Sequence, residues 1–246
     1  MNGRRSINGG ITEISGGLGI ALDRGWAFWA MEVLDDKVSI PTKSRVSYYT
    51  DRSLAAKVCK AIGMDIIAFT ASPRKTPESK KDSGYIVPNT GDPDGALPSA
   101  WYSGLDKASL HNFLKQDVDV LLVSVPLTDQ TRHFLGKEEF EILGKKNAFI
   151  ANISRGSILQ QDDLIAALKK KPEEGGLRGA ALDVTDPEPL NKESELWDLE
   201  NVAVTPHVSG LGTTYAERSF EILDMNLTNL EKGKPLVNQV NRKRGY

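Results

Sequence analysis

Three side chains of complementary chemistry each follow an apolar segment of the sequence. Arg155 comes shortly after residues 147–152, Glu188 lies in the acidic turn after 178–184, and His207 follows 202–205. A guanidinium can hold a carboxylate in a two-pronged contact and polarise the adjoining carbonyl group. An imidazole can exchange a proton with a hydroxyl group, and a neighbouring carboxylate orients that imidazole and stabilises its charged form. This set of residue types suits hydride transfer on a 2-keto or 2-hydroxy acid.

The segments that would bring these side chains together alternate between short apolar runs and amphipathic stretches. The apolar runs predict strands over 44–50, 65–69, 118–124, 147–152, 178–184 and 202–205. The amphipathic stretches predict helices over 53–62, 106–116, 137–143, 162–171 and 213–232. Such alternation predicts an α/β fold of the Rossmann type, with a doubly wound parallel sheet covered on both faces. Polar groups at the carboxyl ends of its strands are then expected to gather ligands.

Two regions lack this alternation. Residues 70–104 are rich in Pro, Gly, Ser and Lys and predict one long functional loop, in which Trp101 and Tyr102 cover a nucleotide or a partner, or simply pack. Residues 1–43 have scattered glycines and no repeating pattern. We therefore divide the chain into an atypical N-terminal segment, 1–43, and a nucleotide-binding unit, 44–246.

Composition excludes several classes of function. The 246 residues carry 31 Lys and Arg against 33 Asp and Glu, a net charge of -2, so no general attraction to nucleic acid exists. Cys59 is the single cysteine, which excludes an internal disulfide framework and a Cys-rich zinc site. No apolar run reaches the ~20 residues of a membrane helix. We expect a cytoplasmic protein without a metal or a membrane partner.

Four motifs carry a resemblance to a known family: Val125-Pro126-Leu127-Thr128 with Thr131, Asn152-Ile153-Ser154-Arg155-Gly156, Ala181-Leu182-Asp183-Val184 and Thr205-Pro206-His207. Between about residue 55 and residue 246 the chain resembles the NAD(P)-binding domain of the D-isomer-specific 2-hydroxyacid dehydrogenases. The resemblance implies an NAD(P)-dependent oxidoreductase of the glyoxylate or hydroxypyruvate reductase kind. It further implies a small 2-keto or 2-hydroxy acid as substrate and, in the intact family, a homodimer.

The same resemblance implies a role for each matching residue. Arg155 would bind the substrate carboxylate and carbonyl, His207 would be the general acid/base, and Glu188 would be its partner. The residues that would line the dinucleotide are Val125, Pro126, Thr131, Ile153, Asp183 and Gly210, with Asp183 near the carboxamide. Members specific for NAD carry an acidic residue at the end of the second strand, where this chain has Thr70, followed by Ser72 and Arg74. NADP(H) is therefore favoured over NAD(H), although a basic surface loop is the alternative interpretation.

The chain departs from the family at the glycine-rich loop that holds the pyrophosphate. Alignment without gaps back from Gly63 puts the three glycine positions on Ser47, Tyr49 and Arg52. Another candidate is the segment 16–19, although a flexible glycine-rich arm is the preferred interpretation there. The family's substrate domain is largely missing from this length of chain, and a truncated or misread gene would explain both departures. A catalytically inactive module for nucleotide or protein binding is therefore the rival to the enzyme.

Simpler interpretations of the individual residues also stand. Arg155 can be a solvated loop residue, and His207 can cap the last strand. His111 and His133 have no evident partner and are expected to be surface or packing residues. Cys59 lies on the apolar face of its predicted helix, which favours a buried, inert thiol.

Overall fold

The computed structural model describes residues 45–49, 53–82, 84, 85, 91–210 and 214–240. Its seven parallel strands are β1 (Arg45–Tyr49), β2 (Asp65–Thr70), β3 (Ala100–Ser103), β4 (Val120–Val123), β5 (Phe149–Asn152), β6 (Gly179–Leu182) and β7 (Val202–Val204). They form one sheet in the order β3-β2-β1-β4-β5-β6-β7. The order reverses between β1 and β4, which is where doubly wound folds open a crevice for ligands. The predicted Rossmann-type sheet is confirmed.

The helices of the described residues are α1 (Ser53–Ala61), α2 (Pro77–Lys80), α3 (Lys107–Leu114), α4 (Lys137–Gly144), α5 (Gln161–Lys169) and α6 (Tyr215–Glu231). Five of them match the predicted helices closely. Local signals fix their ends, since the Asp106 side chain accepts a hydrogen bond from the Ser109 N–H and caps α3. None of the helices in the described ranges combines the length and apolarity needed to span a bilayer.

The prediction of one long loop over 70–104 is wrong. This region contains the single-turn helix α2 and the strand β3, which pairs with β2 at the edge of the sheet. Tyr102 lies in β3, with its ring centroid 5.6 Å from that of Phe113. Trp101, also in β3, packs against a different apolar cluster, which includes Ala56 of α1. Both aromatic residues therefore have packing roles, and the interpretation as simple packing accounts for them.

Apolar clusters cover both faces of the sheet. On one face Phe113 of α3 and Phe140 of α4 pack against strand residues that include Ile150. On the other face Ala56 of α1 packs against a second set of strand residues. Because the strands β4, β5 and β6 are buried on both faces, they read as nearly continuous apolar runs in the sequence. Cys59 packs against the second cluster, where burial raises the pKa of its thiol to about 11, as expected for an inert cysteine.

Helix α6 differs from the other helices of more than one turn because none of its residues is buried. Its predicted apolar stripe of Phe220, Leu223, Leu227 and Leu230 is between 51% and 69% exposed. The interpretations that concern residues 1–43, the glycine-rich segment 16–19 and Arg52 lie outside the described residues.

Candidate active site

The loops after β6 and β7 bring Glu188 and His207 together. The Nδ1 atom of His207 lies 2.6 Å from the Oε1 atom of Glu188, and the two side chains are 43% and 39% exposed. A carboxylate that engages Nδ1 fixes the ring orientation and leaves Nε2 to meet a ligand. The pair that the sequence suggested is therefore in place geometrically. Its exposure to solvent means that it can reach a substrate at the carboxyl edge of the sheet.

The backbone of His207 is held in an uncommon conformation. Its φ angle is 56°, in the left-handed region that residues other than glycine seldom adopt. The His207 N–H donates to the main-chain oxygen of Asp183 at 2.9 Å. The Asp183 carboxylate accepts hydrogen bonds from the N–H groups of Val208 (2.8 Å) and Ser209 (2.9 Å) and from the Thr205 hydroxyl (2.6 Å). Asp183 thus closes the turn that presents the imidazole.

Asp183 remains charged although it is only 3% exposed. Burial by itself raises the pKa of this carboxyl, but hydrogen bonds from Ser209, Thr205 and Val208 outweigh that effect and hold the pKa below its usual range. The family resemblance implied that Asp183 lies near the carboxamide of the dinucleotide. In the structure the carboxylate oxygens of Asp183 already accept hydrogen bonds within the turn that carries His207, so a ligand that binds there would have to share them.

Arg155 follows β5 and is exposed. One of its guanidinium nitrogens, Nη1, donates to the main-chain oxygen of Ser154 at 2.6 Å. The next residue, Gly156, lies so close to the loop after β6 that a Cβ atom there would overlap the main-chain oxygen of Thr185. The loop that carries Arg155 therefore packs directly against the loop that carries Glu188.

The remaining residues predicted to line a dinucleotide follow β4, β5 and β7. Thr131 is buried, and its hydroxyl donates to the Pro126 oxygen at 2.7 Å, which closes the turn after β4 next to the buried Val125. Ile153 is half-buried after β5. Gly210 is exposed, and a Cβ atom there would meet no described atom within 4 Å. Packing within the described part of the chain therefore gives no reason for a glycine at that position.

The segment after β2 carries the three residues that favoured NADP(H). Thr70 is buried, and its hydroxyl donates to the Ser72 oxygen at 2.8 Å. The Arg74 guanidinium donates to the Ser79 oxygen at 3.0 Å and lies 5.6 Å from the centroid of the Trp101 ring. Thr70 thus shapes the turn, whereas Ser72 is exposed and Arg74 is held in one orientation.

Sequence reasoning missed two features. His111 was expected to lack a partner, but its Nε2 atom lies 2.5 Å from the buried carboxylate of Glu139, which also binds the Lys107 ammonium at 2.8 Å. Burial raises the pKa of Glu139, but hydrogen bonds from Lys107, from the Gly136 N–H and from His111 together hold it below its usual range. Because the Lys107 ammonium already supplies a positive charge beside Glu139, we interpret His111, Glu139 and Lys107 as a structural ion cluster.

The second missed feature is Asn152, the last residue of β5. The sequence showed it as part of a motif without indicating a role. In the structure its amide is buried and hydrogen-bonds to the residues on either side of the Ser154–Arg155 peptide bond. No signal in the sequence apart from its place at the end of an apolar run pointed to this.

Comparison with known sequences gives matches over the part of the chain that carries these loops. Residues 92–209 match the family described as D-isomer specific 2-hydroxyacid dehydrogenase, NAD binding domain. A curated relative, the glyoxylate/hydroxypyruvate reductase A of Salmonella newport, is 39% identical over 144 residues. These are 58% of this chain and 44% of that relative, so the match spans less than half of the relative's length.

Solved structures resemble the chain over most of its length. The NADPH-dependent glyoxylate/hydroxypyruvate reductase of Sinorhizobium meliloti, solved with NADP and sulfate, has a TM-score of 0.64 and 26% identity, and the match covers 88% of this chain and 64% of that one. A probable 2-hydroxyacid dehydrogenase of Rhizobium etli has the same TM-score with 24% identity, over 91% and 65% of the two chains. The second likeness bears on the fold alone.

Proposed function

We propose, from the match of residues 92–209 to the NAD-binding domain of the D-isomer specific 2-hydroxyacid dehydrogenases, that the chain is an oxidoreductase of this type. It transfers a hydride between a nicotinamide dinucleotide and a small 2-keto or 2-hydroxy acid. The observation that carries the proposal is the 2.6 Å contact between His207 Nδ1 and Glu188 Oε1 at the carboxyl edge of the sheet. An oriented imidazole at this place is what proton exchange with a substrate hydroxyl requires.

Each residue of the trio has a distinct task in this proposal. Arg155 binds the substrate carboxylate and polarises the adjoining carbonyl group. His207 donates a proton from Nε2 to the carbonyl oxygen during reduction and accepts it during oxidation. Glu188 stabilises the charged imidazole and keeps its ring in position. The nicotinamide, when bound, supplies or accepts the hydride.

The described residues suit a bound dinucleotide at two places and do not suit it at a third. Val125 follows β4 at the switch point and Ile153 follows the neighbouring strand β5, so both lie at the edge where the crevice is expected. Ser72 with Arg74 suits the 2′-phosphate of NADP(H). The relative from Sinorhizobium meliloti was solved with NADP, which supports the same coenzyme here. At the positions that align with the glycine-rich loop, however, the chain has Ser47 and Tyr49, which the structure places inside β1, instead of glycines that would let the backbone approach the pyrophosphate. We therefore propose NADP(H) as the coenzyme, bound weakly.

Glyoxylate and hydroxypyruvate are the proposed substrates. The support is the name of the curated relative from Salmonella newport, together with a guanidinium suited to a small carboxylate. A second copy of the chain is the proposed partner, by analogy with the family, and the cytoplasm is the proposed location, since Cys59 is the single cysteine. The proposed nucleotide-binding unit, 44–246, begins next to β1.

An inactive binding module is the second candidate function. The observation that favours it is the loss of all three glycines at the positions aligned with the pyrophosphate loop. In that case the chain binds a nucleotide or a protein without turnover.

Titration of the purified chain with NADPH and NADH, followed by a turnover assay with glyoxylate, separates the two candidates. The proposed enzyme binds NADPH more tightly than NADH and oxidises it slowly when glyoxylate is added. The variant Arg74→Ala is expected to lose the preference for NADPH, whereas the exposed Lys192→Ala serves as a matched control that keeps it. Equal or tighter binding of NADH refutes the coenzyme assignment, and binding without any turnover supports the inactive module.

A further inference from the structure

We propose that Asn152 is a positioning residue for Arg155, a role that rests on the proposed function of Arg155 as the ligand of the substrate carboxylate. Asn152 ends β5, where its neighbours in register are Val123 of β4 and Leu182 of β6. It is 1% exposed among apolar side chains. A buried amide at such a place is unfavourable unless its polar atoms are hydrogen-bonded.

The amide of Asn152 is used on the turn that carries Arg155. Its Oδ1 atom accepts from the Ser154 N–H at 3.1 Å and from the Ser154 hydroxyl at 3.0 Å. Its Nδ2 atom donates to the main-chain oxygen of Arg155 at 3.1 Å. All three hydrogen bonds of this side chain thus go to the two residues that precede Gly156.

The main chain of Arg155 is consequently fixed from two sides. Its carbonyl oxygen accepts from Asn152 Nδ2 and also from the Ile158 N–H at 3.2 Å, where a short 3-10 turn begins. On the other side, Gly156 abuts the main chain of Thr185 in the loop after β6. The exposed side chain of Arg155 is held by its hydrogen bond to the Ser154 oxygen, which belongs to the same turn, so the direction of the guanidinium depends on this backbone. Small displacements of a binding group are costly for reactions that require oriented substrates.

A purely structural role for Asn152 makes a different prediction. If the amide only stabilised β5, its removal would loosen the whole strand and would weaken ligand binding independently of Arg155. If it positions Arg155, its removal changes the turn locally and acts through the guanidinium. A double-mutant cycle distinguishes the two cases.

The experiment uses the full chain and oxalate, a small planar dicarboxylate, as the probe in calorimetric titrations. The variants are Asn152→Ala, Arg155→Ala and the double variant. The control is Asn201→Ala, since the Asn201 amide also donates to two main-chain oxygens, those of Leu168 and Arg178, at the opposite edge of the sheet. We expect Asn152→Ala to weaken oxalate binding about tenfold or more, to have no further effect when Arg155 is already Ala, and to exceed the effect of the control.

A second measurement does not depend on any ligand. Hydrogen exchange should become at least about tenfold faster at the Ser154 amide in Asn152→Ala, while the amides of β5 keep their protection. Uniform loosening of β5, unchanged exchange at Ser154, or an additive loss of oxalate binding in the double variant overturns the positioning role. If the unmodified chain does not bind oxalate, the proposed function of Arg155 fails, and the exchange pattern alone decides whether Asn152 fixes the turn.

Discussion

Replacement of Asp183 is expected to unfold the turn that presents His207 and to destabilise the domain in a pH-dependent way. Asp183→Ala leaves three donors without their acceptor, the N–H groups of Val208 and Ser209 and the Thr205 hydroxyl. A hydrogen bond to a charged group contributes roughly 1.5 to 3 kcal/mol. Because these donors are only partly buried and water replaces some of the lost bonds, we expect a total loss of about 2 to 4 kcal/mol.

The sign of the pH dependence follows from the lowered pKa of Asp183. A carboxyl group whose pKa is lower in the folded state stabilises that state above its unfolded pKa, which is about 3.9. This contribution is lost as the pH falls through the folded pKa. The isosteric variant Asp183→Asn should therefore be less stable than the unmodified chain at pH 7, and the difference between the two should shrink as the pH falls below about 4.

Urea unfolding followed by circular dichroism at pH 7 and near pH 3 measures both effects. Asp129→Asn, which neutralises an exposed acid in the turn after β4, is the matched control and should behave like the unmodified chain. The reasoning is refuted if Asp183→Asn is as stable as the unmodified chain at pH 7, or if the difference between them grows as the pH falls.

Three further predictions concern other parts of the molecule. Glu188→Gln should lower turnover about tenfold or more because a neutral amide does not stabilise a charged imidazole, and it should cause no further loss when added to His207→Ala. Glu139→Ala should lower the free energy of unfolding in urea by about 3 kcal/mol, since it leaves His111 and Lys107 without their buried acid. Equal urea midpoints for the variant and the unmodified chain would contradict this. The paired change L223E/L227E in the exposed stripe of α6 should reduce self-association in sedimentation experiments, which an unchanged association state would disprove.

The sequence was sufficient for most of the sheet because its central strands are buried on both faces and read as continuous apolar runs. Strand β3 was missed because it has four residues, Ala100–Ser103, at the edge of the sheet, and lies in a stretch dominated by Pro, Gly and Ser. A run this short gives no periodicity that separates a strand from a loop. The single turn of α2 was hidden for the same reason.

Proximity within the candidate site was predictable where residues follow neighbouring strands. Glu188 and His207 come after β6 and β7, which pair directly, so their contact follows from topology. The contact of His111 with Glu139 joins residues that are 28 positions apart on adjacent helices, and no local sequence pattern predicts it. The roles of Asn152 and Asp183 depend on turn geometry, including the φ angle of 56° at His207, which residue types alone do not specify.

Oxidation of NADPH in the presence of glyoxylate, measured with the protein in excess over the coenzyme, tests the proposed site most directly. We predict a rate below the ordinary enzyme range of ~1 to 10³ per second, because the pyrophosphate loop lacks its glycines. We predict that His207→Ala lowers this rate by a further ~10²- to 10⁴-fold. Equal rates for the unmodified chain and His207→Ala, or no oxidation of NADPH by the unmodified chain, would contradict the assignment of this edge of the sheet as a hydride-transfer site.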